Sequence, residues 1–251
     1  MRHLLNKYFN AWKVSTALRD CLARRYSAIE RQAIARVQSN IKNFLSRCGK
    51  ETLPMDIYDN PGKFNPLHAN QKPINRESYT ISELIPFTSV KGGIASFLLL
   101  LANRLKPKSV IEVGTHLGIS GMYIASGISL NPQGVLYTID RSKNSLKYAK
   151  MALKPWQDRI KIINGEFRDV FQGVLSECGK IGLAFIDGDH QAGAMTDYFN
   201  FLLLAMSAGG VIVFDDIDWS SYAAEEWKKI SVDNHVFFNK NCGRFGFVIV
   251  K

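Results

Sequence analysis

"IEVGTHLGIS", residues 111–120, carries the decision about the fold. It closes the apolar run "SVIEV" (109–113), passes Gly114 and Gly118, and opens into a helical pattern over 118–128. A strand that runs through a glycine turn into a helix is the first unit of a doubly wound α/β sheet, whose ligand lies at the carboxyl ends of the strands. Glycine is suited there because it permits a tight turn and a close backbone approach. The spacing is G-x-x-x-G rather than the G-x-G-x-x-G of a dinucleotide fold. Glu112 stands just before the first glycine. A carboxylate there disfavours a pyrophosphate and suits a ligand bearing an ammonium or sulfonium.

Outward from this stretch the chain alternates short apolar runs with helical patterns. A helix over 91–105 precedes it. Strands are expected at 135–139, 160–163, 181–186 and 210–214, with helices at 143–153, 168–177, 192–206 and 221–230. The strands are continuous apolar runs, as when helices cover both faces of a parallel sheet. "HVFF" (235–238) and "RFGFVIV" (244–250) are separated by only "NKNCG", too few residues for a helical crossover. They form a hairpin, so one of them runs antiparallel. The predicted class is α/β, a doubly wound Rossmann-like sheet with a helical extension in front.

That extension explains the charge. The chain of 251 residues has a net charge of +10, but residues 1–50 hold 11 Lys/Arg and 2 acids. The other 201 residues are nearly neutral, with 21 basic and 20 acidic side chains. Residues 3–47 lack Gly and Pro and place apolar positions at spacings of three and four, which predicts one long amphipathic helix, or two broken near Val14–Thr16. Its stripe is expected to pack on the body or on a second copy as a homo-oligomer; a membrane surface is a less favoured partner. The expected division is 1–50 basic helical extension, 51–87 linker or substrate loop, and 88–251 ligand-binding domain. Four scattered cysteines without a C-x-x-C pair point to free thiols in a reducing compartment and away from zinc. No apolar run is long enough to span a membrane, and Lys7, Lys13 and Arg19 interrupt any secretory h-region, so a cytoplasmic location is expected.

Acidic residues gather at strand ends. Asp140 closes the second strand of the domain, 22 residues after Gly118, placed to accept hydrogen bonds from ribose hydroxyls. Asp187 ends the fourth strand in "IDGDH" (186–190), and Asp215 and Asp216 end the fifth in "FDD" (214–216). Neighbouring strands bring such carboxylates within about 5 Å. Three of them repel unless a cation or protonation intervenes. A hard divalent ion such as Mg²⁺, with oxygen ligands, would relieve the repulsion and could activate a substrate hydroxyl.

With these pieces in place, residues 88–251 resemble the class I S-adenosylmethionine-dependent methyltransferases, and "IEVGTHLGIS" is similar to the first motif of the catechol and caffeoyl-CoA O-methyltransferases. The resemblance implies seven strands with the last antiparallel. It implies that Glu112, Gly114, Thr115, Gly118 and Ser120 line the methionine moiety, that Asp140 holds the ribose, and that Gly165 and Glu166 of "NGEF" (164–167) flank the adenine. It implies metal ligands at Asp187, Asp215 and Asp216, with Asp187 also near cofactor. The catechol-type enzymes have a lysine base where this chain has His190. Asp-Gly-x-His resembles instead the metal-dependent sugar O-methyltransferases of macrolide biosynthesis, and a histidine can take a proton at neutral pH.

The expected activity is methyl transfer to a hydroxyl of a small-molecule or sugar-type acceptor. Two alternatives stay open: a nucleic-acid methyltransferase guided by the basic helix, and a non-enzymatic binding or assembly module. Amino-methylating nucleic-acid enzymes of this class carry Asn/Asp-Pro-Pro-aromatic where this chain has "IDGDH", so nucleic acid is not the expected partner.

Overall fold

The computed structural model describes residues 2–54, 78–88, 92–189 and 191–251. Most of the expected linker, and His190, fall outside the described residues. Helices α1 (Arg2–Leu22) and α2 (Ala28–Cys48) lead into a two-stranded ribbon, β1 (Thr52–Pro54) and β2 (Ser78–Thr80), then α3 (Ile81–Thr88) and α4 (Gly92–Leu105). The alternating part follows as β3 (Ser109–Val113), α5 (Ile119–Ile128), β4 (Val135–Asp140), α6 (Lys143–Leu153), a 3₁₀ turn, β5 (Ile160–Asn164), α7 (Phe167–Cys178) and β6 (Ile181–Ile186). It ends with α8 (Ala194–Leu203), β7 (Met206–Phe214), α9 (Ser221–Ser231), β8 (Val236–Asn241) and β9 (Gly246–Val250).

The main sheet has seven strands in the order β5-β4-β3-β6-β7-β9-β8. β9 is antiparallel to β8, as the short hairpin connection requires, and it is antiparallel to β7 as well. The chain order reverses between β3 and β6, which makes their carboxyl ends the switch point of the sheet. Alternate strand residues feed two cores, as the pleat dictates. Val110, Leu183, Phe185 and Val213 face the layer of α1, α2, α4, α5 and α6, while Ile111, Ala184, Ile186 and Ile212 face α7, α8 and α9.

Two boundaries depart from the sequence reading. The break in the N-terminal helical region lies at 23–27, not near Val14, which is fully buried inside α1. Ser27 and Glu30 explain the break: they form a capping box that starts a new helix, and Arg24 turns the chain with φ +52°. The helix expected over 192–206 stops at Leu203, and β7 begins at Met206 rather than 210. Gly209, with φ +78°, suits no helix, and Met206 pairs with Ile181 across an irregular start to the β6–β7 ladder.

The amphipathic stripe of the extension is spent on the chain's own body. Val14, Ala17, Val37 and Phe44 join the same core as Leu98 and Leu101 of α4. Tyr8, Phe9 and Trp12 of α1 face outward. Among the described residues no helix is long and apolar enough to cross a membrane. A half-buried ion-pair network, with Glu30 as its buried member, fixes the layer. Arg104 of α4 donates to Asp20 of α1 (2.8 Å) and to Glu30 of α2 (3.0 and 3.3 Å). Glu30 therefore caps its own helix and neutralises its neighbour with one carboxylate.

Removing one partner of such a pair leaves a buried charge uncompensated, at a cost of about 3–5 kcal/mol. Arg104→Ala is thus expected to lower stability by about that amount, read by urea unfolding, with early loss of amide protection in α1 and α2. An unchanged midpoint would show that the network contributes nothing net.

Candidate active site

The site forms where β3, β4, β6 and β7 end side by side. Gly114 takes φ +97°, and its N–H donates to the Ile139 carbonyl at 2.9 Å, tying the turn to β4. On the other side the Asp187 N–H donates to the Val113 carbonyl at 2.9 Å, tying β6 to β3. A Cβ on Gly114 would lie 1.9 Å from the Asp187 carbonyl oxygen. Glycine is required there on two counts, a left-handed backbone and no room for a side chain. Gly118, φ +78°, is the N-cap of α5, and its close neighbour is Leu153 of α6, at 3.0 Å from a hypothetical Cβ.

Glu112 shares the sheet face of Val110 and is fully buried under α5. Thr138 Oγ1 donates to its Oε2 at 2.6 Å. Thr115 Oγ1 lies 2.5 Å from Thr138 Oγ1, so with Thr138 committed to the carboxylate the proton between the two hydroxyls comes from Thr115. Among the described residues, Glu112 Oε1 finds no hydrogen-bond partner. Burial pushes this carboxyl up to about 7, and the Asp140 charge adds to the rise. Ser120 lies near enough to oppose the rise but closes no hydrogen bond to Oε1. A buried acceptor without a donor is costly in a native fold and marks a place for an incoming one.

Asp140 sits at the end of β4 with both oxygens oriented by main chain. Its Oδ2 accepts from the His116 N–H at 2.7 Å and its Oδ1 from the Ser142 N–H at 2.8 Å. Each oxygen keeps a second lone pair for a ligand. Gly165 follows β5, donating to the Asp140 carbonyl at 3.0 Å, and Glu166 begins α7, where Arg141 meets its carboxylate at 3.4 Å. The structure thus brings Glu112, Gly114, Thr115, Asp140, Gly165, Glu166 and Asp187 to one end of the sheet.

The acidic cluster is built differently from the expectation. Asp187 and Asp215 do end neighbouring in-register strands, with the Asp215 N–H donating to the Ile186 carbonyl at 2.9 Å. A cation already stands among them. Arg244 donates to Asp215 from Nε (Oδ1, 3.2 Å) and from Nη2 (Oδ2, 3.1 Å), and its Nε is 2.7 Å from Asp216 Oδ1. Asp216 adopts φ +52°, a left-handed turn that aspartate tolerates. Burial raises Asp215 to about 6, with the Asp216 charge adding to it, and burial together with Asp215 and Asp216 lifts Asp187 well above the usual carboxylate range. Burial by itself would lower Arg244, but the surrounding carboxylates outweigh it and hold the guanidinium above its ordinary value.

The oxygens that a divalent ion would need are already engaged. Both oxygens of Asp215 and one of Asp216 are turned to Arg244, and among the described residues no group of three His, Cys, Asp or Glu is arranged to hold a metal. An ion at bonding distance from these oxygens would stand about 4 Å from a guanidinium, a repulsion of several kcal/mol. In this arrangement the donor set does not fit a divalent cation.

Three participants escaped the sequence reading: Arg244, Arg141 and Glu226. Glu226 of α9 accepts the Gly193 N–H and the Thr196 N–H (2.9 Å), capping α8 from another helix. An isolated arginine between a hairpin glycine and an apolar strand was the available signal for Arg244; nothing local marked Glu226.

Comparison with known proteins agrees with this geometry. Residues 111–217 match the family described as "Methyltransferase domain". A Mycobacterium leprae relative that bears an O-methyltransferase name is 36% identical over 111 residues, 43% of this chain and 48% of its own. The Mycobacterium tuberculosis protein named catechol O-methyltransferase is 27% identical over 135 residues, 53% of this chain and 59% of its own. The chain therefore spans about half the length of the curated relatives it matches. Among solved structures, the O-methyltransferase from Bacillus cereus in complex with SAH shares the fold with a TM-score of 0.59, at 22% identity, over 68% of this chain and 86% of that one. Residues 111–217, from the first glycine turn to the second acidic strand end, thus match a methyltransferase domain, and the chain shares the fold of a solved O-methyltransferase.

Proposed function

We propose that the protein transfers the methyl group of S-adenosylmethionine to a hydroxyl of a small-molecule or sugar-type acceptor. The observation that carries the reading is the buried, half-satisfied Glu112 beneath the glycine turn, one carboxylate oxygen bonded to Thr138 and the other without a donor. Such a group favours a cationic ligand. S-adenosylmethionine supplies an electrophilic methyl on a sulfonium and an ammonium on the same moiety. Asp140, held by two main-chain N–H groups, would accept from ribose hydroxyls, and Gly165 and Glu166 would flank the base. The relatives bear O-methyltransferase names, which supports oxygen as the accepting atom.

In this reading the acceptor oxygen bonds to the methyl carbon as the carbon–sulfur bond breaks, and the hydroxyl proton passes to the protein. His190, three positions after Asp187, is the base we assign. A second reading keeps a divalent ion at Asp187, Asp215 and Asp216. The excess of three carboxylates over one guanidinium supports it, and Arg244, with its side chain about one-third exposed (34%), has a route outward. Under that reading chelation removes turnover and spares cofactor binding.

Three outcomes test the proposal. Calorimetry should detect S-adenosylmethionine and no NAD, and Asp140→Ala should weaken binding by about 1–3 kcal/mol; equal affinity in wild type and variant would sink the cofactor assignment. His190→Ala should lower turnover about 10²- to 10⁴-fold with cofactor affinity retained, checked by an acceptor screen with labelled methyl donor.

The third outcome concerns pH. Glu112 has its pKa raised from 4.5 to about 7. Between these values the unfolded chain has lost this proton and the folded chain keeps it, so this residue makes stability fall as pH rises through the window. Glu112→Gln should remove that slope in thermal melts of the free protein. Cofactor affinity should rise with pH through about 7 in wild type and stay flat in the variant. A wild-type affinity independent of pH would detach Glu112 from the ligand.

A further inference from the structure

We infer that Arg244 is the built-in cation of the acidic strand ends. Its guanidinium takes the place among Asp215 and Asp216 that a divalent ion would occupy, so the intact chain binds a divalent ion there only weakly and gains tight binding when Arg244 is removed. What the assignment means for catalysis rests on the methyl-transfer reading above; the assignment itself rests on the geometry.

The position of Arg244 is set by main chain. β9 runs antiparallel to β7, so its start lies at β7's carboxyl end, with Gly246 opposite Phe214. Just beyond that pair the Ile217 N–H donates to the Arg244 carbonyl at 2.8 Å, fixing the backbone of the arginine against the loop that carries both aspartates. The side chain then reaches three carboxylate oxygens at 2.7, 3.1 and 3.2 Å. A planar guanidinium matches this fork, whereas an ammonium is a point charge on a flexible stem.

The carboxylates are shaped to this partner. Asp215 is wholly buried at its side chain, and its Oδ1 also accepts the Asp216 N–H at 2.9 Å, so both its oxygens are committed. The left-handed turn at Asp216 aims a second carboxylate at the same Nε. A metal at this place would need these same oxygens at about 2.0–2.1 Å in octahedral array. Guanidinium and ion exclude one another by charge and by sharing ligands. Arg244 is a positioning residue: it orients Asp215 and Asp216 at the edge of the site, and deprotonation of an acceptor falls to a protein base.

The test uses the full chain and Mn²⁺ as the probe, followed by electron paramagnetic resonance, with Mg²⁺-dependent melting as a second readout. Wild type and Arg244→Lys, which keeps the positive charge, are expected to bind Mn²⁺ weakly. Arg244→Ala and the neutral, better-filling Arg244→Gln are expected to bind it about tenfold tighter or more, to melt higher in Mg²⁺, and to lose both gains when Asp215→Asn is added. Stoichiometric Mn²⁺ binding by wild type, at least as tight as in the neutral variants, would overturn the inference. So would neutral variants that fold by circular dichroism yet gain nothing. S-adenosylhomocysteine binding on the same samples separates the two readings. Its absence beside the expected Mn²⁺ pattern would reject the methyl-transfer reading and leave Arg244 as assigned; its presence without the pattern would reject Arg244 alone.

Discussion

The contact between Gly114 and Asp187 is the constraint on which the site depends. Two strands that leave the switch point in opposite directions across the sheet must pass within hydrogen-bonding distance just as each turns into a loop. Val113 and Asp187 share a main-chain bond at 2.9 Å there, and a Cβ on Gly114 would sit inside the Asp187 carbonyl. The close approach is what opens a crevice beyond the strand ends: the loops part because the strands cannot. Glu112, two residues before Gly114, is buried beneath the turn, and Asp187, one residue after β6, is carried to the rim.

Charge at that rim is managed by topology. Parallel strands all end on the same side of the sheet, which concentrates their terminal carboxylates; an antiparallel strand begins there. β9 is the strand that brings a new residue, Arg244, to the crowded edge. Burial lifts Asp187 and Asp215 and by itself would lower Arg244, so it is the neighbouring carboxylates that hold the guanidinium in its charged form. Glu226 shows a related economy, since one carboxylate from α9 closes the N-terminus of α8.

The extension belongs to this architecture as a third layer rather than as an appendage. Its excess of arginines lies in helices whose inner faces contribute Val14, Ala17 and Val37 to the sheet's own core. Glu30 and Asp20 meet Arg104, so the acids of the basic segment are the ones used to lock it down. The positive charge left on the outside is therefore a property of the surface next to α1 and α2, remote from the acidic rim in both sequence and sign.

The fold was legible because its signals are local. Apolar runs bounded by glycine, the G-x-x-x-G turn at 114–118, and a five-residue hairpin each constrain only neighbours in the chain, and they suffice for seven strands with one of the last two reversed. Asp140, Asp187 and Asp215 were legible for the same reason: a residue that ends an apolar run in a parallel sheet ends at the ligand side. The sequence left open which strand lies beside which. That Arg244 stands opposite Asp215 depends on β9 lying between β7 and β8, a long-range pairing with no mark in "CGRFGF". The absent partner of Glu112, the capping of α8 by Glu226 and the break at Ser27 rather than Val14 were likewise decided by packing. The sequence determined where charges end their strands; only the tertiary structure decided which charges meet, because electrostatic partners are set by distance in space and not along the chain.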